Sequence, residues 1–140
     1  MILESIVNKS PIVKGWSGDQ KYCAVTADGT KYLLRVSSID RLERKRREYE
    51  KMSEVSQLGI PMCLPVEFGI CDEGAYSIQS WIDGVDAEDA MMAMCPDQQY
   101  SYGLDAGRIL ASIHTIPAPA NAPDWEIRFN AKIDRKIAMH

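Results

Sequence analysis

Two periods divide the chain. Over roughly the first eighty residues, short runs of strand formers with an apolar/polar alternation are separated by turn residues, with one helical stretch among them; beyond that point apolar positions recur every three to four residues. Ile6-Val7 and Pro11-Ile12-Val13 lead into a glycine-bearing turn, Gly15-Trp16-Ser17-Gly18. Lys21–Thr26 and Lys31–Val36 read as a hairpin joined at Asp28-Gly29, a dipeptide that supplies the positive φ of a tight turn. Arg41 to about Leu58 is predicted as one helix, with Ser38 or Asp40 capping its start and Gly59 with Pro61 marking its end. A second hairpin follows: Pro65–Cys71, a turn at Asp72-Glu73-Gly74, and Ala75–Ile82.

From Asp83-Gly84 onward only helices are predicted. Ala87–Met94 is short and carries three methionines, and Pro96 opens a longer helix to about Ile116. Tyr100, Gly103, Leu104, Gly107, Leu110, Ala111 and His114 form a face that must pack against something. A proline-rich linker (117–123) precedes a last amphipathic piece with Trp125, Phe129, Ile133 and Ile137. The fold class is therefore α+β: strands plus one helix in 1–82, then helices in 83–140. The helical part is too short to bury its own faces. It either docks on the first part or belongs to a chain that continues past His140. Continuation is the expectation, with self-association through the open helical faces.

Composition narrows the class. With 140 residues, 46% hydrophobic and 26% charged, the chain suits one soluble globular domain with a real core. Twenty acidic against sixteen basic residues give a net charge of −4, which weighs against a generally basic nucleic-acid surface. No apolar run approaches the ~18 residues of a membrane span, and Met1-Ile2-Leu3-Glu4 lacks the basic start of a secretory signal. No membrane association and a cytoplasmic location are the expectation. Four cysteines without a Cys-x-x-Cys pair, beside two histidines, make a poor zinc site. Buried free thiols are the simpler reading.

The predicted long helix and the strand before it hold the informative charges. At about 100° per residue, Glu48 falls between Met52 and Val55 on the apolar stripe, whereas Glu43, Glu50 and Glu54 point away. Arg35 shares its strand face with Leu33, opposite Tyr32, Leu34 and Val36. Semi-buried charges are costly unless paired, so an Arg35–Glu48 ion pair between strand and helix is expected. Otherwise Arg35 snorkels and Glu48 lies at the rim. The glycines of the 15–18 turn let backbone N–H groups approach an anion, and Ser17 adds a hydroxyl. The turn is neither a Walker loop nor a dinucleotide fingerprint.

Taken in order, Gly15-Trp16-Ser17-Gly18-Asp19, Tyr32-Leu33-Leu34-Arg35-Val36, Arg47-Glu48-Tyr49, Leu58-Gly59-Ile60-Pro61, Phe68-Gly69, Trp81-Ile82-Asp83-Gly84 and Leu110-Ala111-Ser112-Ile113-His114 resemble the aminoglycoside phosphotransferase and choline kinase-like group. That group has the protein-kinase-like fold. The resemblance spans roughly residues 5–137. It implies a nucleotide-binding small lobe in 1–82, then a hinge and the first helices of a truncated helical lobe in 83–140.

It implies further that Arg35 stands where the family has a phosphate-binding Lys, and that Glu48 is the helix carboxylate orienting that cation. Gly15, Ser17 and Gly18 would cover the triphosphate. The Ser80 carbonyl and the Ile82 N–H would read the adenine edge, and Gln79 would sit at the mouth of its pocket. A guanidinium forks onto two oxygens where Lys is a point charge, so Arg35 should still bind phosphate with altered geometry. The cofactors implied are ATP or GTP with Mg2+, and the partner a small hydroxyl-bearing substrate.

The family's His-Gly-Asp loop, the following Asn and the later metal-holding Asp are not in this sequence. His114 matches a packing position. No catalytic residue and no metal ligand is therefore expected in the chain, and the 140 residues alone should be inactive. A second reading is a non-catalytic α+β interaction module that binds a partner through exposed helices, with Met91-Met92-Ala93-Met94 as an adaptable surface. A third is RNA binding through the basic run Arg41–Lys51.

Overall fold

The computed structural model describes residues 1–15 and 17–139; Trp16, inside the glycine-bearing turn, and His140 lie outside the described residues. Five strands form one antiparallel sheet: β1 (Ile6–Pro11), β2 (Gln20–Thr26), β3 (Lys31–Ser37), β4 (Pro65–Cys71) and β5 (Gly74–Ser80), in the order β1-β2-β3-β5-β4. Helix α2 (Leu42–Ser56) connects β3 to β4, and a short α1 (Ile2–Ser5), absent from the sequence expectation, precedes β1. The predicted hairpin at Asp28-Gly29 is formed. Gly29 has φ 85°, and Asp28 accepts hydrogen bonds from the Thr26 hydroxyl (2.6 Å) and the Thr30 N–H (3.0 Å).

The two faces of the sheet do different work. Ala24, Leu34, Val36, Tyr76 and Ile78 share one face and form the buried core, with Ile2, Leu3 and Ile6 packed against them. Glu67 secures this cover: the Ile2 N–H donates to Oε2 at 2.6 Å and the Tyr76 hydroxyl to Oε1 at 2.6 Å. Burial and that hydrogen bond push the Tyr76 phenol up to about 12. The opposite face, carrying Leu33, Arg35, Ser77 and Gln79, lies under α2, where Tyr49 meets Phe68 at 5.4 Å between ring centroids.

Helix α2 starts differently from the expectation. Neither Ser38 nor Asp40 caps it. A 3-10 turn, Ile39–Arg41, runs into the helix, so the Arg41 N–H already donates to the Ser38 carbonyl (3.0 Å) and the Leu42 N–H to that of Ile39. Backbone carbonyls thus serve the donors a cap would have taken, and the Ser38 hydroxyl turns to Asp40. At the far end Gly59 takes φ 66°, the left-handed geometry expected there.

Strand β5 stops at Ser80, short of the predicted Ile82. Its neighbour β3 begins at Lys31, and Tyr32 pairs with Ser80, so the ladder runs out. Lys31 Nζ and Trp81 Nε1 then both donate to Asp83, at 3.2 and 3.0 Å. Three helices follow: α3 (Ala87–Met92), α4 (Pro96–Ile113) and α5 (Trp125–Ala138). Cys95 and Gln98 close a capping box on α4, and Asp124 caps α5 through the Ile127 N–H (3.0 Å). None of the three has a buried residue.

The face expected to pack on α4 therefore stays open, with Tyr100, Leu104, Leu110 and also His114 exposed. The cysteines are free but none is fully buried: Cys23, Cys63 and Cys71 are half-buried and Cys95 is exposed. Among the described residues, no helix is long and apolar enough to cross a membrane.

Candidate anion site between the glycine turn and helix α2

The register of the first hairpin builds the site. Lys21 pairs with Arg35 across β2 and β3, so two cations stand side by side on the α2 face. Like charges directly opposed on neighbouring strands are destabilising unless something answers them. Gln20 pairs with Val36, and that register continues to place Asp19 across from Ser37 on the same face. The Asp19 carboxylate is the answer. It accepts from Arg35 Nη2 at 2.5 Å and Lys45 Nζ at 2.9 Å, both on Oδ2, and from the Ser37 hydroxyl at 2.8 Å on Oδ1.

Burial decides how these groups are layered. The Asp19 side chain is 1% exposed, Lys45 13%, Arg35 27% and Glu48 45%. Asp19 is therefore the most deeply buried of the four, and Arg35 keeps part of its side chain at the surface. Burial raises the Asp19 carboxyl, but hydrogen bonds from Lys45, Ser37 and Arg35 outweigh it and bring the group down to about 2.

The direct Arg35–Glu48 pair is not formed. Asp19 takes the guanidinium, and Glu48 accepts instead from Arg44 Nε (2.8 Å) and Lys45 Nζ (2.9 Å) on its own helix. The reason is angular. Leu42, Lys45, Tyr49, Met52 and Ser56 are the half-buried line of α2, and Glu48 stands beside it at the rim. Lys45 reaches inward where Glu48 was expected. The pair is replaced by a relay, Arg35–Asp19–Lys45–Glu48. The Lys45 bond lowers the Glu48 carboxyl against the opposing effect of burial, with Arg44 assisting.

Arg35, Glu48 and Gln79 line one cavity between α2 and the sheet, together with Asp19, Lys45 and Tyr49. At about 30 Å³ it has room for little more than a water-sized group. Gly15 and Gly18 line an adjoining open depression of about 320 Å³ with Asp19 and Lys21. Asp19 thus belongs to both. Gly15 (φ 96°) and Gly18 (φ 69°) take backbone geometry that favours glycine. A Cβ on Gly15 would come within 2.6 Å of Lys21 Nζ, which donates to the Lys14 carbonyl.

The remaining predicted residues lie outside both hollows. The Ser17 hydroxyl accepts from the Asp19 N–H at 3.4 Å, within the turn. The Ser80 N–H donates to the Leu64 carbonyl and the Ser80 hydroxyl accepts from the Leu64 N–H, each at 2.8 Å, tying the end of β5 to the approach to β4. Ile82 is exposed.

Sequence reasoning missed Asp19, Lys21 and Lys45. The first two were within reach, since the Asp28-Gly29 turn sets the register that puts them beside Arg35. Among the described residues, no group of three or more His, Cys, Asp or Glu side chains could hold a metal ion. The basic run of α2 is largely paired with acids: Arg44 and Lys45 with Glu48, Arg46 with Glu43, Lys51 with Glu54.

Comparison with known proteins gives the family and the fold. The model of the phosphotransferase enzyme family (APH) matches residues 10–139, nearly the whole chain. The chain belongs to that family. Among solved structures, the aminoglycoside phosphotransferase APH(3'')-Id from Streptomyces rimosus is similar, with 19% identity and a TM-score of 0.50. The likeness covers 63% of this chain and 31% of that protein, and at this identity it concerns the fold alone. A comparison with the curated proteins returns no match.

Proposed function

We propose that this chain is the nucleotide-binding side of an ATP- or GTP-dependent phosphotransferase, acting in the cytoplasm on a hydroxyl of a small molecule. Residues 1–82 are the nucleotide-facing lobe; residues 83–140 are the hinge and the first helices of a helical lobe. The observation that carries the reading is the grouping of three cations (Lys21, Arg35 and Lys45) against two carboxylates, buried Asp19 and Glu48 at the rim, next to two glycines in left-handed geometry. An anion settling there relieves the repulsion that Asp19 leaves partly unanswered. The family match makes the nucleotide's phosphates the natural candidate.

In this reading Arg35 holds the phosphates, with Glu48 steadying the cluster from α2 through Lys45, and the turn at Gly15, Ser17 and Gly18 lies over them. Gln79, the Ser80 carbonyl and the Ile82 N–H accommodate the base. The nucleotide supplies the transferable phosphoryl group and Mg2+ accompanies it; this chain contributes binding and orientation.

Titration of the chain with ATP, and separately GTP, each with Mg2+ and followed by amide chemical shifts, tests the reading. Weak binding is expected, with shifts at Gly15, Gly18, Arg35 and Gln79–Ile82. Arg35→Ala should abolish those shifts while leaving the core amides in place. Shifts confined to the exposed faces of α4 and α5 would support an interaction module instead.

A further inference from the structure

The buried carboxylate at the seam between turn and helix is assigned no role by the phosphate-site reading. Asp19 could stand in two relations to the cations. As a plug, it would occupy the surface a phosphate needs and be displaced on binding. As a buttress, it would hold the cations from behind. The 1% exposure of its side chain, against 27% for Arg35, favours the buttress. So does its saturation: two cations and the Ser37 hydroxyl take up most of what a carboxylate can accept.

Its place in the chain adds a second link. Asp19 directly follows Gly18, so the same residue that grips Arg35 also closes the glycine turn, and through Lys45 it touches α2. Turn, strand and helix meet on one side chain.

We propose that Asp19 is a positioning residue. It holds the Arg35 guanidinium toward the nucleotide's polyphosphate and makes that grip depend, through Lys45, on α2 being docked. The inference rests on the nucleotide-binding reading above. It departs from a direct strand–helix pair, because the helix reaches Arg35 through an acid on β2's threshold and a lysine, with Glu48 one step further out.

Charge alone and positioning predict opposite signs, which makes the role testable. Asp19→Asn removes a negative charge beside an anion site. Simple electrostatics would then tighten binding of a polyphosphate. Loss of positioning weakens it, because the neutral amide no longer fixes a cation on each side. The probes are inorganic triphosphate and ATP with Mg2+, titrated into the 140-residue chain and its Asp19→Asn, Asp19→Glu and Lys45→Met variants. The heteronuclear NOE of the Arg35 Nε–Hε pair is recorded on each without ligand.

At least tenfold weaker binding is expected for Asp19→Asn and Lys45→Met, with recovery in Asp19→Glu. Lys51→Met, which removes the same charge from an exposed position of α2, should stay within twofold. Arg35 Nε–Hε should be rigid in the parent chain and mobile in Asp19→Asn. If Asp19→Asn fails to fold, the parent's NOE still decides, since a mobile guanidinium there overturns the role. Equal or tighter binding by folded Asp19→Asn overturns the inference and leaves the nucleotide reading intact. A parent chain that binds neither probe at millimolar concentration overturns both.

Discussion

The sheet with α2 and the segment of α3–α5 are built from similar proportions of apolar residue and end up in opposite states. In the first, alternate residues of β2, β3 and β5 face one another, so a few side chains remove each other from water: Leu34, Val36, Tyr76 and Ile78 are buried. In the second, none of the three helices has a buried residue among those described, and Tyr100, Leu110, Trp125 and Ile137 remain exposed. Helices satisfy their backbone hydrogen bonds within one segment, so local sequence can specify them without naming what covers their faces, whereas strands exist only by pairing. The candidate site belongs wholly to the first kind of structure. A cluster with a carboxylate that is 1% exposed can be held in place only where the surrounding backbone is fixed on several sides.

Glycine substitution should separate the two regions most sharply. A Cβ on Gly74, which has φ 132°, would stand 2.2 Å from the Ser37 carbonyl oxygen. Gly74→Ala should therefore cost on the order of 3–5 kcal/mol and threaten the fold of the sheet; thermal and urea unfolding followed by near-UV circular dichroism would read it. Full retention of the transition midpoint would mean the turn between β4 and β5 is looser than described.

Core truncation comes next. Ile78→Ala, at a position with no exposure, should lose roughly 2–5 kcal/mol. The matching deletion on α4, Leu104→Ala, should change stability by no more than about 0.5 kcal/mol. Comparable losses at both sites would show that α4's face is covered in solution and would erase the contrast.

Acid should act on the sheet side through Asp19. Its folded-state pKa of about 2 lies below the ordinary 3.8, so the stability it contributes is present above pH ~4 and is lost as pH falls toward 2. The amount is on the order of 2 kcal/mol. Urea midpoints measured between pH 6 and pH 2.5 should fall in the parent chain and fall less steeply in Asp19→Asn, where the other lowered carboxyls remain. The smallest effect runs the other way: a Cβ on Gly107 of α4 meets nothing within 4 Å. Gly107→Ala should raise helicity and stabilise α4 by roughly 0.5–1 kcal/mol, visible in far-UV circular dichroism.

Much of the fold was legible because short-range chemistry specifies it. The Asp28-Gly29 hairpin, the second hairpin at Gly74 and the helix beginning at Pro96 follow from turn and helix-start residues acting on their neighbours, and α5 from the spacing of Trp125, Phe129, Ile133 and Ile137. Errors cluster where a long-range partner intervenes. β5 ends where its pairing with the start of β3 runs out, α2 begins on a 3-10 turn instead of a side-chain cap, and α1 is tied to β4 by the Ile2 N–H on Glu67. For the site, Arg35 was recognised as a charge on a semi-buried face, while its partner was misassigned. Helical angle puts Lys45 between Tyr49 and Met52 and Glu48 further toward the rim, a difference that reading the stripe from its apolar residues alone passes over.

What the sequence determined by itself was most of the elements, the family and the presence of a semi-buried cation on β3 in need of a partner, because periodicity, turn chemistry and the cost of a buried charge are local facts. The hairpin register offers Asp19 as a neighbour of Arg35, but that Asp19 rather than Glu48 takes the guanidinium was decided only in three dimensions. The hairpin register and the docking of α2 bring Asp19, Arg35 and Lys45 to one point from positions 19, 35 and 45. A carboxylate removed from water takes the cations nearest in space, whatever their distance along the chain.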